Sequence, residues 1–135
     1  MRIFGLVIIL FFFSLINSCS DREKIPNEFP TSSLYITEAN WEFNNDNIQT
    51  FKRFWITFQN LSQKDIRYIK FRLTIKVKDG LDREVFRRTI EKNEKVFSND
   101  IVRYEIEELR DFYIGVNVSV KGNFVWDAEV LEVKE

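Results

Sequence analysis

Ile69-Lys70-Phe71-Arg72-Leu73-Thr74-Ile75-Lys76-Val77-Lys78 is the stretch that decides the fold class. Every second side chain is apolar, and those between are basic or polar. In an extended chain successive side chains point to opposite sides, so strict alternation places one set on each face. Coiled into a helix, the same five apolar residues would be spread around the whole cylinder. The segment therefore reads as a strand with one buried and one wet face, running from about Ile66 to Lys78. Asp79-Gly80 follows as a turn signal, and Val85 to Ile90 reads as the returning partner.

The same period of two continues outward in both directions. Upstream, Phe51 to Gln59 puts Phe54, Ile56 and Phe58 in phase. Leu34 to Phe43 reads as a further strand with a bulge, because Leu34 and Ile36 are out of phase with Trp41 and Phe43. Downstream, Ile101 to Ile106 carries Val102, Tyr104 and Ile106 on one face. Ile114, Val116, Val118 and Val120 form a β-branched stripe, and Lys121-Gly122-Asn123 turns into a final strand from Phe124 to Val133. Asn44 to Asn47 and Ser98 to Asp100 read as Asx-rich loops, and Glu107 to Asp111 as a single helical turn. The prediction is an all-β fold, an immunoglobulin-like antiparallel β-sandwich of about seven strands, with a small antiparallel barrel as the alternative.

The N-terminus reads differently. Arg2 is followed by an apolar run from Ile3 to Ile16, then Asn17, Ser18, Cys19 and Ser20. The run is shorter than the ~20 residues that cross a bilayer, and it reads as the hydrophobic region of a cleaved signal peptide. Cys19 is the only cysteine, so it has no partner for an internal disulfide. The segment resembles a bacterial lipoprotein signal: Ile16 and Ser18 fit the positions before the cysteine, whereas Asn17 departs from the small apolar residue usual between them. The resemblance implies lipidation of Cys19 and a protein held on a membrane without a spanning segment. Ser20 directly after the cysteine implies the outer membrane of a bacterial cell envelope, on its periplasmic or its surface-exposed side. Ser20-Asp21-Arg22-Glu23-Lys24 is similar to the acidic export signal of Bacteroidetes surface lipoproteins, with Arg22 interrupting it. An ordinary secretory signal that leaves Cys19 as a free thiol and an uncleaved signal anchor are the alternatives. The expected organisation is a signal peptide over 1–18, a tether over 19–31 containing Pro26 and Pro30, and a single β-sandwich domain over 32–135.

A second resemblance covers Phe58-Gln59-Asn60-Leu61-Ser62-Gln63-Lys64-Asp65-Ile66 and the alternating residues up to Lys78-Asp79-Gly80. It is similar to the FxLYD-type extracytoplasmic β-sandwich domains, which run strand, Asn-x-Ser turn, Ile, long alternating strand, Asp-Gly. The aromatic-x-Leu-Tyr-Asp core itself is replaced by Ile75-Lys76-Val77-Lys78-Asp79. The resemblance implies a cell-envelope module and carries no catalytic residues with it.

Composition excludes several chemistries. The chain has no histidine, which removes Ser-His-Asp and Cys-His nucleophile systems, histidine bases and ordinary zinc sites. Its four scattered glycines make no phosphate-binding loop. Carboxylates that could pair for glycoside hydrolysis are Glu105, Glu107 and Glu108, or Asp82 and Glu84, but they lie in charge-rich edges and turns and read as solvated. Asn44, Asn45, Asp46 and Asn47 lack the spacing of a calcium loop and read as a turn. Asn60-Leu61-Ser62 and Asn117-Val118-Ser119 match the N-glycosylation pattern, which a bacterial lipoprotein gives no reason to use, and Asn117 falls within a predicted strand. With 20 basic and 21 acidic residues interspersed, nothing suggests a nucleic-acid surface. No enzyme activity, metal or cofactor is expected.

Aromatic residues supply the candidate binding site. Phe54, Ile56 and Phe58 claim the core, which puts Trp55 on the outer face beside Thr57 and Gln59. A tryptophan there can contact sugar or protein, or pack under a neighbouring loop or strand. Trp41 and Trp126 are assigned to the core. Tyr35, Tyr68 and Tyr113 fall near strand ends or outer faces, and Tyr68 joins Trp55 as a candidate ligand contact. The expected function is a non-catalytic envelope lipoprotein acting as a protein-binding or accessory module. A carbohydrate-binding surface lipoprotein and an immunity or exclusion lipoprotein that blocks a partner are the alternatives. The expected partners are the membrane, through lipidated Cys19, and another envelope protein or a glycan. An exposed sheet edge in such a domain is also a natural place for β-augmentation.

Overall fold

The computed structural model describes residues 33–135, so the signal segment, Cys19 and the tether lie outside the described residues. Six strands follow in order: β1 (Leu34–Asn44), β2 (Asn47–Asn60), β3 (Tyr68–Val77), β4 (Arg83–Lys92), β5 (Ile101–Glu105) and β6 (Phe124–Lys134). They form two antiparallel three-stranded sheets, ordered β1-β2-β5 and β4-β3-β6. The sheets pack face to face over a single core, an all-β sandwich. This order matches the A-B-E and C′-C-F strands of an immunoglobulin sandwich, and among the described residues no strand lies beyond β6, where that fold has its last strand.

The alternation of β3 is realised as read. Ile69, Phe71, Leu73, Ile75 and Val77 are wholly buried, while Lys70, Arg72, Thr74 and Lys76 face out. As the central strand of its sheet, β3 has its backbone groups satisfied on both sides, by β4 and β6. Ile66 is not part of it and instead bridges Val96 in the connection between β4 and β5. The phase change in β1 is a bulge: Ile36 stands opposite Phe58 and Glu38 opposite Thr57, leaving Thr37 as the extra residue. That one insertion brings Leu34, Ile36, Ala39 and Trp41 onto the same inward face.

The core is aromatic through its middle. Phe58 meets Phe71 edge-on across the sheets at 5.1 Å, and Phe51 meets Phe54 at 5.3 Å and Phe124 at 5.4 Å. Edge-to-face pairs of this kind add to the gain from area burial. Trp41 and Trp126 do pack against this core but remain half-buried, both on the side where β1 and β6 approach each other.

One predicted strand does not form. Residues 114–120 are a loop of turns and bends, which makes six strands rather than seven. The Asn117 side-chain oxygen accepts the Ser119 N–H at 2.9 Å and the Ser119 hydroxyl at 2.6 Å, closing an Asx turn where a strand would have to stay extended. Gly115, at φ +87, bends the chain just before it. Asn117 therefore sits in a turn, not within a strand. The stripe arose because Ile114 and Val118 do insert into the core, 3% and 1% exposed, while Val120 lies outside. Their N–H groups donate to Gln49 O and Ile48 O at the start of β2, so the loop closes one end of the sandwich without pairing along it.

Candidate functional site

The outer face of the β1-β2-β5 sheet is built in three cross-strand rows. Tyr35, Gln59 and Ile101 form the first, Glu38, Thr57 and Arg103 the second, and Asn40, Trp55 and Glu105 the third. Trp55 is there for the reason the sequence suggests: Phe54, Ile56 and Phe58 are fully buried, so the period of two turns Trp55 outward.

Trp55 is half-buried, because the Arg103 guanidinium lies over its ring, 4.2 Å from the centroid. The two residues are diagonal neighbours on adjacent strands, within reach for long side chains on one face. A cation over an indole face is attracted by the ring quadrupole. Glu105 beside Trp55 accepts two bonds from Arg110, at 3.1 and 2.9 Å, and this pairing raises the Arg110 pKa further. Thr57, nearly buried, donates to Glu38 Oε1 at 3.5 Å. Tyr35 and Ile101 are left well exposed, 50% and 58%, at the row nearest the loops.

Exposed apolar surface continues onto those loops. Leu61 and Phe97, 52% and 54% exposed, lie either side of buried Asn60, whose backbone and side chain bond to both loop segments. Lys95 stands over the Phe97 ring at 4.6 Å. The arrangement is a firm, mixed surface of one tryptophan, one tyrosine, one arginine and aliphatic groups. It supplies contact area and hydrogen bonds.

Tyr68 is not part of it. It begins β3 in the other sheet, on the outward face opposite Lys134, whose ammonium lies 4.6 Å from the ring centroid. Trp55 and Tyr68 thus face away from each other across the sandwich, which corrects the idea of a shared patch. Tyr113 is also separate, bridging Thr50 and donating its hydroxyl to Gln49 Oε1 at 2.9 Å. Of the three tyrosines, Tyr35 shares the Trp55 face. Arg103 is the member sequence reasoning missed. Its signal was its place between Val102 and Tyr104, which forces it outward on a strand that had to pair somewhere.

Of the five carboxylates considered for hydrolysis, three are held by cations, Glu105 by Arg110, Asp82 by Lys78 at 3.3 Å and Glu84 by Arg87 at 2.7 Å, and Glu107 and Glu108 lie in the short helical turn after β5. Among the described residues no group of three or more His, Cys, Asp or Glu side chains is gathered as for a metal ion. No described helix is long and apolar enough to cross a membrane. Comparison with protein families, curated proteins and solved structures finds no match to the chain.

Proposed function

We propose that this chain is a non-catalytic protein-binding module of a bacterial envelope, anchored to the outer membrane through lipidated Cys19, that contacts another envelope protein with the outer face of the β1-β2-β5 sheet. The observation that carries the binding assignment is Arg103 stacked on Trp55 beside exposed Tyr35 and Ile101. Tryptophan, tyrosine and arginine dominate the binding energy of protein interfaces, where a rigid platform limits the entropy lost on contact. The same stacking favours protein over glycan, because sugar recognition uses an open aromatic face and here a guanidinium lies over the indole. The anchor rests on the sequence from Arg2 to Ser20.

The test compares wild type with Tyr35→Ala and Arg103→Ala in envelope preparations, after cross-linking and affinity purification of the full chain. Loss of one defined protein partner in both variants, with unchanged melting temperature, supports the reading. Retention of the partner in both variants, or binding of wild type to an isolated glycan that both variants lose, overturns it. An immunity or exclusion role would be a special case in which the partner's own activity falls on binding.

A further inference from the structure

The two long sides of the sandwich are closed differently. On the side of β4 and β5, inward positions carry charge: Arg88 stands opposite core residue Leu73, and Lys92 donates to Glu105 O at 3.4 Å and lies over the Tyr104 ring. Inward-pointing charge at an edge is a known barrier to strand addition. Among the described residues the side of β1 and β6 has none. Its inward residues are Leu34, Ile36, Ala39, Trp41 and Phe43 on β1, and Phe124, Trp126, Ala128, Val130 and Val133 on β6. Seven of these, Ile36, Ala39, Trp41, Phe43, Trp126, Ala128 and Val130, are only partly buried. One end of the side is closed where Trp41 meets Phe124 edge-on at 4.8 Å and donates its indole N–H to Val118 O at 3.0 Å. Beyond that contact lies an apolar seam flanked by two sheet edges.

Beside the seam, β6 presents Asp127 and Glu129 outward, between exposed Val125 and a Glu132 paired with Lys134 at 3.3 Å, and β1 presents Glu38 between Tyr35 and Asn40. On its paired side β6 is met by β3, whose outward residues are Lys70, Arg72, Thr74 and Lys76, with Arg72 3.8 Å from Glu129. β6 therefore already pairs with one strand of apolar and basic alternation. A second copy of this chain bringing β1 or β6 would set carboxylate against carboxylate, which is destabilising directly across a ladder, and one bringing β4 would carry the inward Arg88 and Lys92 into the apolar seam. The segment from Ser20 to Ser33 mixes acids and bases and contains Pro26 and Pro30, which lack the N–H a ladder requires.

We propose that the edge of β6, unpaired among the described residues, accepts an extended strand of a partner protein in which apolar residues, filling the seam over Trp126, Ala128 and Val130, alternate with Lys or Arg facing Asp127 and Glu129. The interaction is strand addition, with main-chain bonds giving affinity and the alternation giving specificity. It is a second surface, separate from the Trp55 face.

The experiment uses the full chain in detergent micelles and two synthetic peptides. One carries the sequence of residues 68–78, and its counterpart has Glu at every Lys and Arg. Amide hydrogen exchange is followed residue by residue. The basic peptide is expected to slow exchange along β6 and the acidic one to leave it unchanged. In Asp127→Lys/Glu129→Lys the basic peptide should bind about tenfold or more weakly and the acidic one should gain, with the melting temperature held as the fold control. Equal effects of the two peptides, protection confined to other strands, or no binding at millimolar peptide overturns the proposal. So does a β6 edge already protected without peptide, which would assign the seam to the chain's own N-terminal segment, or to a second copy if the chain is dimeric. No partner of the Trp55 face enters this measurement, so either reading can fail while the other stands.

Discussion

Asn60 and Val96, 36 residues apart, are joined by a bond from the Asn60 amide N–H to the Val96 carbonyl at 3.2 Å, inside a side chain with no solvent exposure. The same nitrogen donates to Lys64 O at 2.8 Å and Phe97 O at 3.2 Å, and the Asn60 oxygen accepts the Ser62 N–H at 3.0 Å. One buried amide thus ties the end of β2 to the connection between β4 and β5, the crossover between the two sheets.

Asn60→Ala should therefore cost about 1–3 kcal/mol, because the side-chain bonds that tie the two segments together are lost at once, although Val96 O, Phe97 O and Lys64 O each keep another donor, Ile66 N–H, Asp100 N–H and the Ser62 hydroxyl. Asn60→Asp should be worse near neutral pH, since a carboxylate would face three carbonyl oxygens, and should recover partly as acid protonates it. Urea unfolding at pH 7 and pH 4 reads both. Asn117→Ala, whose Asx turn is solvent-exposed, should cost well under half as much as Asn60→Ala.

Asp65 holds the same crossover from its surface. Its carboxylate bonds Lys95 at 2.9 Å and the Ser98 N–H at 3.0 Å, and these contacts, Lys95 first, hold its pKa below the ordinary 3.8. A lowered folded-state value means that this stabilisation is fully present above the unfolded pKa and is lost as pH falls through the folded one. Wild type should lose stability below about pH 4 more steeply than Asp65→Asn, measured by thermal melts from pH 6 to pH 2.

Tyr104 is 4% exposed, and among the described residues its hydroxyl has no hydrogen-bond partner. Burial, and secondarily the charge of Glu94, pushes its pKa up to about 12 from 10.0. The folded state therefore resists ionisation that the unfolded chain accepts, so stability should fall from pH 10 towards pH 12 by about 2–3 kcal/mol from this group. Tyr104→Phe should remove that part of the fall and should be about 1 kcal/mol more stable at pH 7, since an unsatisfied buried hydroxyl is lost. Equal alkaline profiles for the two proteins would contradict this.

The anchor is tested by intact mass and membrane fractionation. Wild type should be membrane-bound and carry added lipid mass on Cys19, and Cys19→Ala should keep residues 1–18 attached. Release of unlipidated wild type after cleavage would place Cys19 as a free thiol on a secreted domain.

Much of the fold was legible because burying one face of an extended chain imposes a period of two. β3 follows its alternation residue by residue, and the change of phase in β1 reported the bulge at Thr37. Residues 114–120 misled for a physical reason: a loop that inserts Ile114 and Val118 into a core writes the same apolar spacing as a strand. The contrary signal was present in Asn117-Val118-Ser119, which repeats the Asn-x-Ser pattern of the turn at Asn60 and makes the same Asx contact.

By itself the sequence determined the class of fold, the outward position of Trp55 and the absence of histidine chemistry, because side-chain direction and composition are local properties. Only the tertiary structure decided which strand joins which sheet, since alternation specifies two faces but no neighbour. That choice set Arg103 over Trp55, sent Tyr68 to the opposite face, buried Asn60 between loops far apart in sequence, and placed β6, with Asp127 and Glu129 facing out, at a sheet edge unpaired among the described residues.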